Sequence, residues 1–207
     1  MSGFDWLAAI RACQAIAQTG LTFAPPGYDR ERYEALETLA AGMMAAIGDG
    51  DPAMVAGLFA GQSGYATPKL DVRGAVFRDG KILLVRETAD GGRWTLPGGW
   101  CDVGLSPAEN VVKEVFEEAG FHVRAERLVA ALDRHRAGHH PQPFGACKLF
   151  FLCEITGGSA TPSAETSEVA FFAEDEIPAD LSLDRVLPGQ IRRMFAHRRQ
   201  VLPPDFN

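Results

Sequence analysis

The sequence is poor in cysteine and in positive charge, and it has no long apolar run. Its four cysteines show none of the spacings that bind metal ions or form redox pairs, so we interpret them as reduced thiols buried as small apolar side chains. Lys and Arg number 20 against 27 Asp and Glu, and the net charge of −7 argues against a protein that coats nucleic acid. No apolar stretch approaches the roughly 20 residues of a membrane-spanning helix.

The N-terminal segment also lacks the pattern of a secretory signal. No basic region precedes its apolar residues, which Asp5 and Arg11 interrupt. We therefore expect a cytoplasmic protein that has no membrane partner. The 207 residues, 46% hydrophobic and 23% charged, are enough for one large core and a smaller unit.

The N-terminal part of the chain has the patterns of helices. Apolar residues at helical spacing predict a helix over 4–18, with Trp6 on its apolar side. Asp29 is placed to cap a second helix, and Asp51-Pro52 is placed to open a third.

A change of pattern over residues 63–69 divides the chain. Turn-forming residues there are typical of a linker, so we predict an N-terminal helical domain over 1–62 and a second domain over 70–207. Strand patterns in the second domain fall at 70–78, 81–87, 121–135, 146–155 and 169–172. Asp79-Gly80 predicts a hairpin turn, and 188–199 a final helix. Strands flanked by helices indicate an α/β sandwich with a mixed sheet.

A short helix is clearly marked in the second domain. Ser106 is its N-cap, Pro107 its first-turn proline, Glu109 the acid of a capping box and Gly120 its stop. Apolar residues at intervals of three or four form one stripe, at Ala108, Val112, Val115 and Ala119.

Three carboxylates crowd a different face of this helix. Glu114, Glu117 and Glu118 lie at i, i+3 and i+4, where like charges cost about 0.2–0.5 kcal/mol per pair. A bound divalent cation would remove that repulsion, because hard oxygen ligands in this geometry suit Mg²⁺ or Mn²⁺. We therefore predict that these three acids are metal ligands and catalytic residues.

The segment 99–121, with these acids and the closing Gly120, resembles the Nudix box in spacing and residue types. The resemblance implies the Nudix α/β/α sandwich and a metal-dependent hydrolase. It also implies that the backbone carbonyl of Gly98 joins the acids as a metal ligand.

Two positions depart from the box pattern. Leu105 stands where the pattern has its first Glu, and Lys113 stands where it has Arg. In Nudix enzymes that Arg pairs with acids of the box, and a lysine keeps the charge but cannot make a bidentate contact. Replacement of both the Glu and the Arg of the pattern is a more consistent change than replacement of one, which would leave a charge without its partner. Asp102 is close enough in sequence to offer a substitute carboxylate.

The N-terminal helices resemble the extension of one Nudix subgroup. The resemblance rests on residues 6–12 and 28–33, and on 100–104 and 133–136 in the second domain. It implies action on a nucleoside diphosphate linked to another moiety, notably CDP-choline or ADP-ribose. We interpret the extension either as the surface of a homodimer or as a structural cap. The partner that we expect is a second copy of the chain.

Hydrolysis also needs a group that accepts the proton of the attacking water. Nudix enzymes take this base from the box or from a later loop, and by that resemblance Glu165 and Glu168 are further catalytic candidates. Glu168 is favoured because it abuts a strand, which would fix its position.

Residues 133–141 form the best candidate for a substrate-binding loop. Two arginines and three histidines gather there in an otherwise acidic chain. Arg134 is predicted to bind a phosphate group, with Asp133 and Arg136 beside it. Trp100 is a candidate to stack on the base. His139 is interpreted as a solvated loop residue rather than a zinc ligand.

Two functions fit these observations. The first is a metal-dependent hydrolase that splits nucleoside diphosphate-X, with CDP-choline or ADP-ribose favoured, into a nucleoside monophosphate and phospho-X. The second is a Nudix-fold sensor that binds such a ligand without cleaving it, which Leu105 and Lys113 favour. The intact acid trio favours the enzyme. The expected partner is a small nucleotide, and a capped or short RNA is left open as a substrate.

Overall fold

A computed structural model describes residues 4–207 of the chain in two compact units. The first consists of residues 4–68 with 141–145, and the second of 69–140 with 146–207. The predicted domain boundaries stay a prediction, and nothing in the sequence indicated that the loop 141–145 joins the helical unit. Within residues 4–207, no helix has both the length and the apolar character needed to cross a bilayer.

The first unit consists of three helices, α1 (Trp6–Phe23), α2 (Tyr28–Ile47) and α3 (Pro52–Ala60). Aspartates cap two of them. The Asp5 carboxylate accepts a hydrogen bond of 2.9 Å from the Ala8 amide at the start of α1. Asp51 accepts a similar bond of 2.9 Å from the Ala53 amide at the start of α3, as predicted.

Two expectations for these helices were wrong. Helix α2 already begins at Tyr28, so Asp29 lies inside its first turn and pairs with Arg32 at 2.8 Å instead of capping the helix. Trp6 is 62% exposed, because the buried side of α1 begins at Leu7.

The three helices enclose a small apolar core. Its buried members are Leu7, Ile10, Ala40, Ala41, Met44, Ala45, Val55 and Phe59. Phe144 of the loop 141–145 meets the Phe59 ring edge-on, with centroids 6.1 Å apart. Other large apolar side chains of this unit are exposed, including Trp6, Ile16, Phe23, Leu39, Ile47 and Met54. The unit therefore exposes large apolar side chains that are not part of its own core.

The second unit is built on seven strands and two helices. The strands are β1 (Lys69–Arg78), β2 (Lys81–Glu87), β3 (Arg93–Thr95), β4 (Phe121–Asp133), β5 (Ala146–Gly158), β6 (Thr166–Phe172) and β7 (Asp205–Phe206). The helices are α4 (Pro107–Ala119) and α5 (Pro188–Arg199). The strand order is β3-β2-β1-β5-β4-β7, with β6 paired to β2. Parallel pairs (β1–β5 and β4–β7) coexist with antiparallel ones, which confirms the predicted mixed sheet.

The predicted hairpin joins β1 to β2 through Asp79 and Gly80, which have φ angles of 51° and 76°. Beside this turn Phe77 pairs with Ile82, and β2 then continues in pairs with β3 and β6. The beginning of β1 is paired instead on one side with β5 and on the other with the segment 97–101, which precedes α4. This divergence of β2 from β1 makes room for the segment 97–101 beside β1.

Each face of the sheet has its own core. The core under α4 contains Val72, Val76, Leu83, Val85, Val111, Val115, Ala119 and Phe121. The core under α5 contains Ala75, Leu84, Leu96, Phe150, Ile191, Met194 and Phe195. Within α4 the buried stripe is centred on Val111 and Val115, so the predicted members Ala108 and Val112 lie at its edge.

Short elements were missed at the sequence level. Strands β3 and β7 have three and two residues, and a 3₁₀ turn covers Thr88–Asp90. Segments this short have no periodic pattern, and their pairing with distant strands forms them. Strand β6 begins at Thr166 rather than Val169, and β4 ends at Asp133.

Close packing of α4 on β1 predicts the effect of one small substitution. A Cβ added at Gly74 would lie 2.6 Å from Val115 Cγ2 and 3.2 Å from Val111 Cγ2. We expect Gly74→Ala to destabilise the protein by about 1–3 kcal/mol through overpacking, measured by urea denaturation. Adding Val115→Ala should make room for the new methyl group, so the double variant should lose less than the sum of the two single changes. Additive losses would contradict this packing.

Candidate active site

Helix α4 begins and ends as its sequence predicts, and this fixes the direction of its acids. The Ser106 hydroxyl accepts a 3.2 Å hydrogen bond from the Glu109 amide, and the Glu109 carboxylate accepts one of 2.8 Å from the Ser106 amide. The helix ends at Gly120, whose φ is 75°. Both ends are therefore held by local contacts, so the positions of the side chains between them are defined.

The loop before α4 lies directly against β1. The Val72 amide donates to the Gly99 carbonyl and the Gly74 amide to the Pro97 carbonyl, both at 2.8 Å. At Gly98 φ is 142°, and a Cβ there would lie 2.0 Å from the Val72 carbonyl oxygen. This close approach requires glycine at position 98.

Glu118 is buried against this loop. Its side chain accepts a 2.9 Å hydrogen bond from the Gly98 amide, and the residue is 4% exposed. The Thr166 hydroxyl donates to the Glu118 carbonyl at 2.6 Å. Burial raises the pKa of Glu118 to about 8, and the nearby charges of Glu114 and Glu87 act in the same direction.

Glu114 faces the same loop from one turn earlier. A Cβ at Gly99 would lie 2.8 Å from Glu114 Oε2, so a glycine there lets the carboxylate approach the backbone. Burial raises the pKa of Glu114, and the charges of Glu117 and Glu165 add to this, whereas Lys113 opposes it. Two adjacent carboxylates with raised pKa values are a typical property of functional sites.

Lys113 forms contacts with acids on both sides. Its ammonium nitrogen lies 2.9 Å from Glu117, 3.1 Å from Asp102 and 3.8 Å from Glu114. The hydrogen bond with Glu117 is the largest cause of a raised pKa of Lys113, and the hydrogen bond with Asp102 is the second. Leu105, which stands at the position of the missing box acid, is 41% exposed.

The donor set fits a hard divalent cation, although it is not assembled as a closed cage. Across residues 4–207, no three side chains of His, Cys, Asp or Glu are gathered in a metal-binding cluster. Glu117 is turned towards Lys113, which leaves the half-buried Glu114 and the buried Glu118 as the carboxylates at the Gly98–Gly99 loop. Mg²⁺ commonly uses one or two protein carboxylates and completes its shell with water and substrate phosphates.

Behind the loop lies a buried ionic network that the sequence did not reveal. Asp71 accepts hydrogen bonds from Arg73 at 2.6 and 3.0 Å and from Lys148 at 2.6 Å. Arg73 also donates to the Leu96 carbonyl at 3.3 Å. Burial alone would raise the pKa of Asp71, but the two cations hold it below its usual value. Burial lowers the pKa of Lys148 to about 7. The charge of Arg73 acts on Glu118 and lowers its pKa.

The two loop acids have different surroundings. Glu168 lies on β6, and its carboxylate pairs with Arg86 at 3.0 Å. Glu165 lies just before that strand, where its carbonyl accepts a 2.9 Å hydrogen bond from the Thr88 amide. The charge of Glu165 acts on Glu114. The acid that the sequence favoured is therefore engaged by an arginine, whereas the charge of the other raises the pKa of a helix acid.

The predicted substrate loop is ordered by its own side chains. Arg134 is 4% exposed and donates to Asp184 Oδ1 at 2.9 Å and to the His140 carbonyl. Asp133 accepts a 2.9 Å hydrogen bond from the Arg136 amide, and the Arg136 side chain is exposed. Trp100, which follows Gly99 in the loop before α4, is 51% exposed.

His139 was wrongly expected to be solvated. It is buried, its Nδ1 lies 2.8 Å from the Leu183 carbonyl, and its Nε2 lies 2.9 Å from the Gln190 amide nitrogen. Burial lowers the pKa of His139 to about 4. A neutral ring that donates from Nδ1 and accepts at Nε2 satisfies both contacts.

Further residues of the site also escaped sequence reasoning. Asp71 and Arg73 lie two residues apart and therefore on one face of β1, and Lys148 interrupts an apolar strand. Charged residues inside a buried strand were the signal by which the sequence could have indicated this network. Asn110 is fully buried within α4, where asparagine is an uncommon choice because its amide competes with helix hydrogen bonds.

Two family profiles match this chain. One is described as NUDIX domain and matches residues 68–193. The other is described as a UDP-X-like, N-terminal oligomerisation domain and matches residues 4–59.

Individual relatives match over most of the sequence. A Bacillus subtilis (strain 168) protein, YjhB, named as a candidate ADP-ribose pyrophosphatase, is 50% identical over 92% of this chain and 90% of its own length. The crystal structure of an ADP-ribose pyrophosphatase from Streptococcus suis 89-1591 is 44% identical, with a TM-score of 0.61, over 68% of this chain and 100% of that one. The crystal structure of a UDP-X diphosphatase is 37% identical, with a TM-score of 0.63, over 98% of both chains.

The burial of Glu118 predicts that the metal-free protein loses stability as the pH rises. Its folded pKa of about 8 lies above the ordinary value for glutamate, which the unfolded chain retains. The stability that this group contributes is therefore complete below about pH 4 and is lost as the pH rises to about 8. In EDTA, we expect Glu118→Gln, which cannot ionise, to melt at a higher temperature than the unmodified protein at about pH 8.

Thermal unfolding followed by circular dichroism at about pH 5 and pH 8 measures this difference. Glu31→Gln, which changes an exposed acid of α2, is the matched control and should follow the unmodified protein at both pH values. An equal decrease in melting temperature for Glu118→Gln and the unmodified protein would contradict the assignment.

Proposed function

We propose a substrate class for this chain, which belongs to the Nudix family and is a pyrophosphohydrolase. The proposed substrate is a nucleoside diphosphate joined to a second moiety X. The products are a nucleoside monophosphate and phospho-X. The observation that carries this proposal is the pair of carboxylates of the half-buried Glu114 and the buried Glu118 at the Gly98–Gly99 loop, whose Gly98 amide donates a hydrogen bond to Glu118.

ADP-ribose and UDP-linked compounds are the substrates that we favour. The relatives reported above are named for ADP-ribose or for UDP-X, and one of them aligns along nearly the whole chain. None of these three is named for CDP-choline, so we retain that compound as a comparison substrate. Substrates of all three kinds share a diphosphate, and the base and the X group distinguish them.

The Nudix family typically uses a divalent metal ion, and we propose Mg²⁺ or Mn²⁺ here. Glu114, Glu117 and Glu118 with the Gly98 carbonyl are the proposed ligands, which requires Glu117 to leave Lys113. When bound, such an ion offsets the charge of the diphosphate and lowers the pKa of water. Deprotonated Glu114 and Glu118 are needed for binding, so metal affinity should increase with pH.

We propose Glu165 as the base that accepts the proton of the attacking water. The water oxygen bonds to phosphorus, the bridging P–O bond breaks, and the departing phosphate keeps the electron pair. Glu165 is exposed and close enough to Glu114 to raise its pKa, whereas the Glu168 carboxylate is held by Arg86. Both acids are exposed, so the effect of Glu165 on Glu114 and the pairing of Glu168 with Arg86 favour Glu165.

The substrate-binding residues are assigned by exposure. Trp100 and Arg136 are open to solvent, and we propose that Trp100 stacks on the base and Arg136 contacts a phosphate. Arg134 is buried and paired with Asp184, so we propose that it orders the loop, with Asp133 holding the turn that presents Arg136.

A panel of substrates tests the proposed function. ADP-ribose, UDP-glucose and CDP-choline, each with Mg²⁺ or Mn²⁺, are incubated with the protein and the products separated by ion-exchange chromatography. We expect AMP or UMP together with the phospho-sugar, and slower release of CMP from CDP-choline. Binding of these compounds without any nucleoside monophosphate release would favour the sensor and contradict the enzyme.

Substitution of the two loop acids tests the assignment of the base. We expect Glu165→Gln to lower kcat by about 100-fold or more, with little change in KM, because proton transfer is removed and binding is not. Glu168→Gln, the matched control, should cost less than about tenfold. The opposite order in steady-state kinetics would assign the base to Glu168 and contradict our choice.

The helical unit carries an oligomerisation domain, and we propose that the oligomer is a homodimer. Leu39, Met43 and Ile47 are spaced by four residues along α2, and Leu39 and Ile47 are exposed. Light scattering should give twice the 22.3 kDa of the chain, and Leu39→Glu should shift the protein towards the monomer. Val201→Glu, at an exposed apolar residue of the second unit, is the control. A monomeric unmodified protein at high micromolar concentration would refute the dimer.

A further inference from the structure

We propose that Asp102, held in place by the buried Asn110, supplies the carboxylate that the Nudix box has at position 105. In this chain the acid has moved three residues towards the N-terminus, and its partner is Lys113 rather than an arginine. Asp102 and Asn110 are thus positioning residues for the acids of α4. The inference rests on the proposed metal-dependent function. It assigns a role to Asp102 and Asn110, to which that proposed function gives none.

Asn110 joins the loop 102–106 to the helix. Its Oδ1 accepts a 2.8 Å hydrogen bond from the Asp102 amide. Its Nδ2 donates to the carbonyls of Ser106 at 3.1 Å, Leu105 at 3.3 Å and Asp102 at 3.4 Å. The side chain is fully buried, so both ends of the amide are satisfied by this one loop.

Apolar burial contributes little to the conformation of this loop. Val103 is fully exposed, and Leu105 is among the exposed large apolar residues. The hydrogen bonds of Asn110 therefore supply the main specific contacts that place the Asp102 backbone over α4. Loss of these contacts would release Asp102 from its position.

Asn110, Lys113, Glu114 and Glu117 follow one another at i, i+3, i+4 and i+7, which places them on one face of α4. A loop held at Asn110 thus brings the Asp102 carboxylate to the Lys113 ammonium, 3.1 Å away. The geometry differs from that of an arginine, because one ammonium contacts each acid through a single hydrogen bond.

Asp102 has a specific effect on Glu117. Lys113 lies between the two acids, 2.9 Å from Glu117 and 3.1 Å from Asp102. When Glu117 turns towards a metal ion, Asp102 still balances the ammonium charge, so that charge is not left without a partner. Without Asp102, Lys113 would hold Glu117 more strongly and would compete with the metal ion for it.

The test measures Mn²⁺ binding to the full-length protein without nucleotide, by electron paramagnetic resonance of the free ion. We expect Asp102→Asn to weaken Mn²⁺ binding by about tenfold or more and to lower kcat, with KM for nucleotide less affected. Asp102→Glu should restore part of both losses. Asp175→Asn, an exposed aspartate in the turn after β6, is the matched control and should bind Mn²⁺ as the unmodified protein does.

A relocated carboxylate provides the sharpest comparison. Adding Leu105→Glu to Asp102→Asn returns the acid to the position of the box pattern, and we expect it to recover part of the Mn²⁺ affinity. Unchanged Mn²⁺ binding by Asp102→Asn, or a double variant no better than Asp102→Asn alone, would overturn the inference. Asn110→Ala should resemble Asp102→Asn if it folds, and the Asp102 variants decide the question if it does not.

Failure of the proposed function would give a different result. A protein that is not a metal-dependent hydrolase would release no nucleoside monophosphate in the unmodified form, whatever the effect of Asp102→Asn on Mn²⁺ binding. Normal hydrolysis and Mn²⁺ binding by the unmodified protein, with no effect of Asp102→Asn, would overturn the role of Asp102 alone.

Discussion

The hydrogen bond from the Gly98 amide to the buried Glu118 carboxylate is the contact on which the rest of the site depends. It requires a backbone loop so close to β1 that a Cβ at position 98 would overlap the Val72 carbonyl oxygen. It also places an acid where burial raises its pKa to about 8, so the ionised form is disfavoured until a cation arrives. The fold therefore bears a local cost at the point where a divalent ion would relieve it.

Charges on both sides moderate that cost without removing it. Behind the loop, Arg73 belongs to a buried network with Asp71, and its positive charge lowers the pKa of Glu118. In front of it, Lys113 contacts Glu117 and comes within 3.8 Å of Glu114. A monovalent lysine that faces several acids can balance them only in part. This arrangement leaves Glu114 and Glu118 available as oxygen donors.

The sequence predicted the parts of the molecule that local patterns specify. The cap at Ser106, the stop at Gly120 and the turn at Asp79-Gly80 each arise from a few adjacent residues, and all were confirmed. The box spacing likewise pointed to the acids of α4. Contacts between distant segments could not be read in this way, because pairing of Asp71 with Lys148 depends on the parallel alignment of β1 and β5. The burial of His139 depends in the same way on Gln190 from α5.

Anomalous diffraction from crystals soaked in Mn²⁺ tests the central claim most directly. The account predicts an ion at coordination distance from the carboxylates of Glu114 and Glu118 and from the Gly98 carbonyl, with Glu117 turned away from Lys113. The ion should be absent from crystals of the Glu114→Gln/Glu118→Gln double variant. An ion bound elsewhere on the protein, or one that persists at this loop in the double variant, would contradict the account.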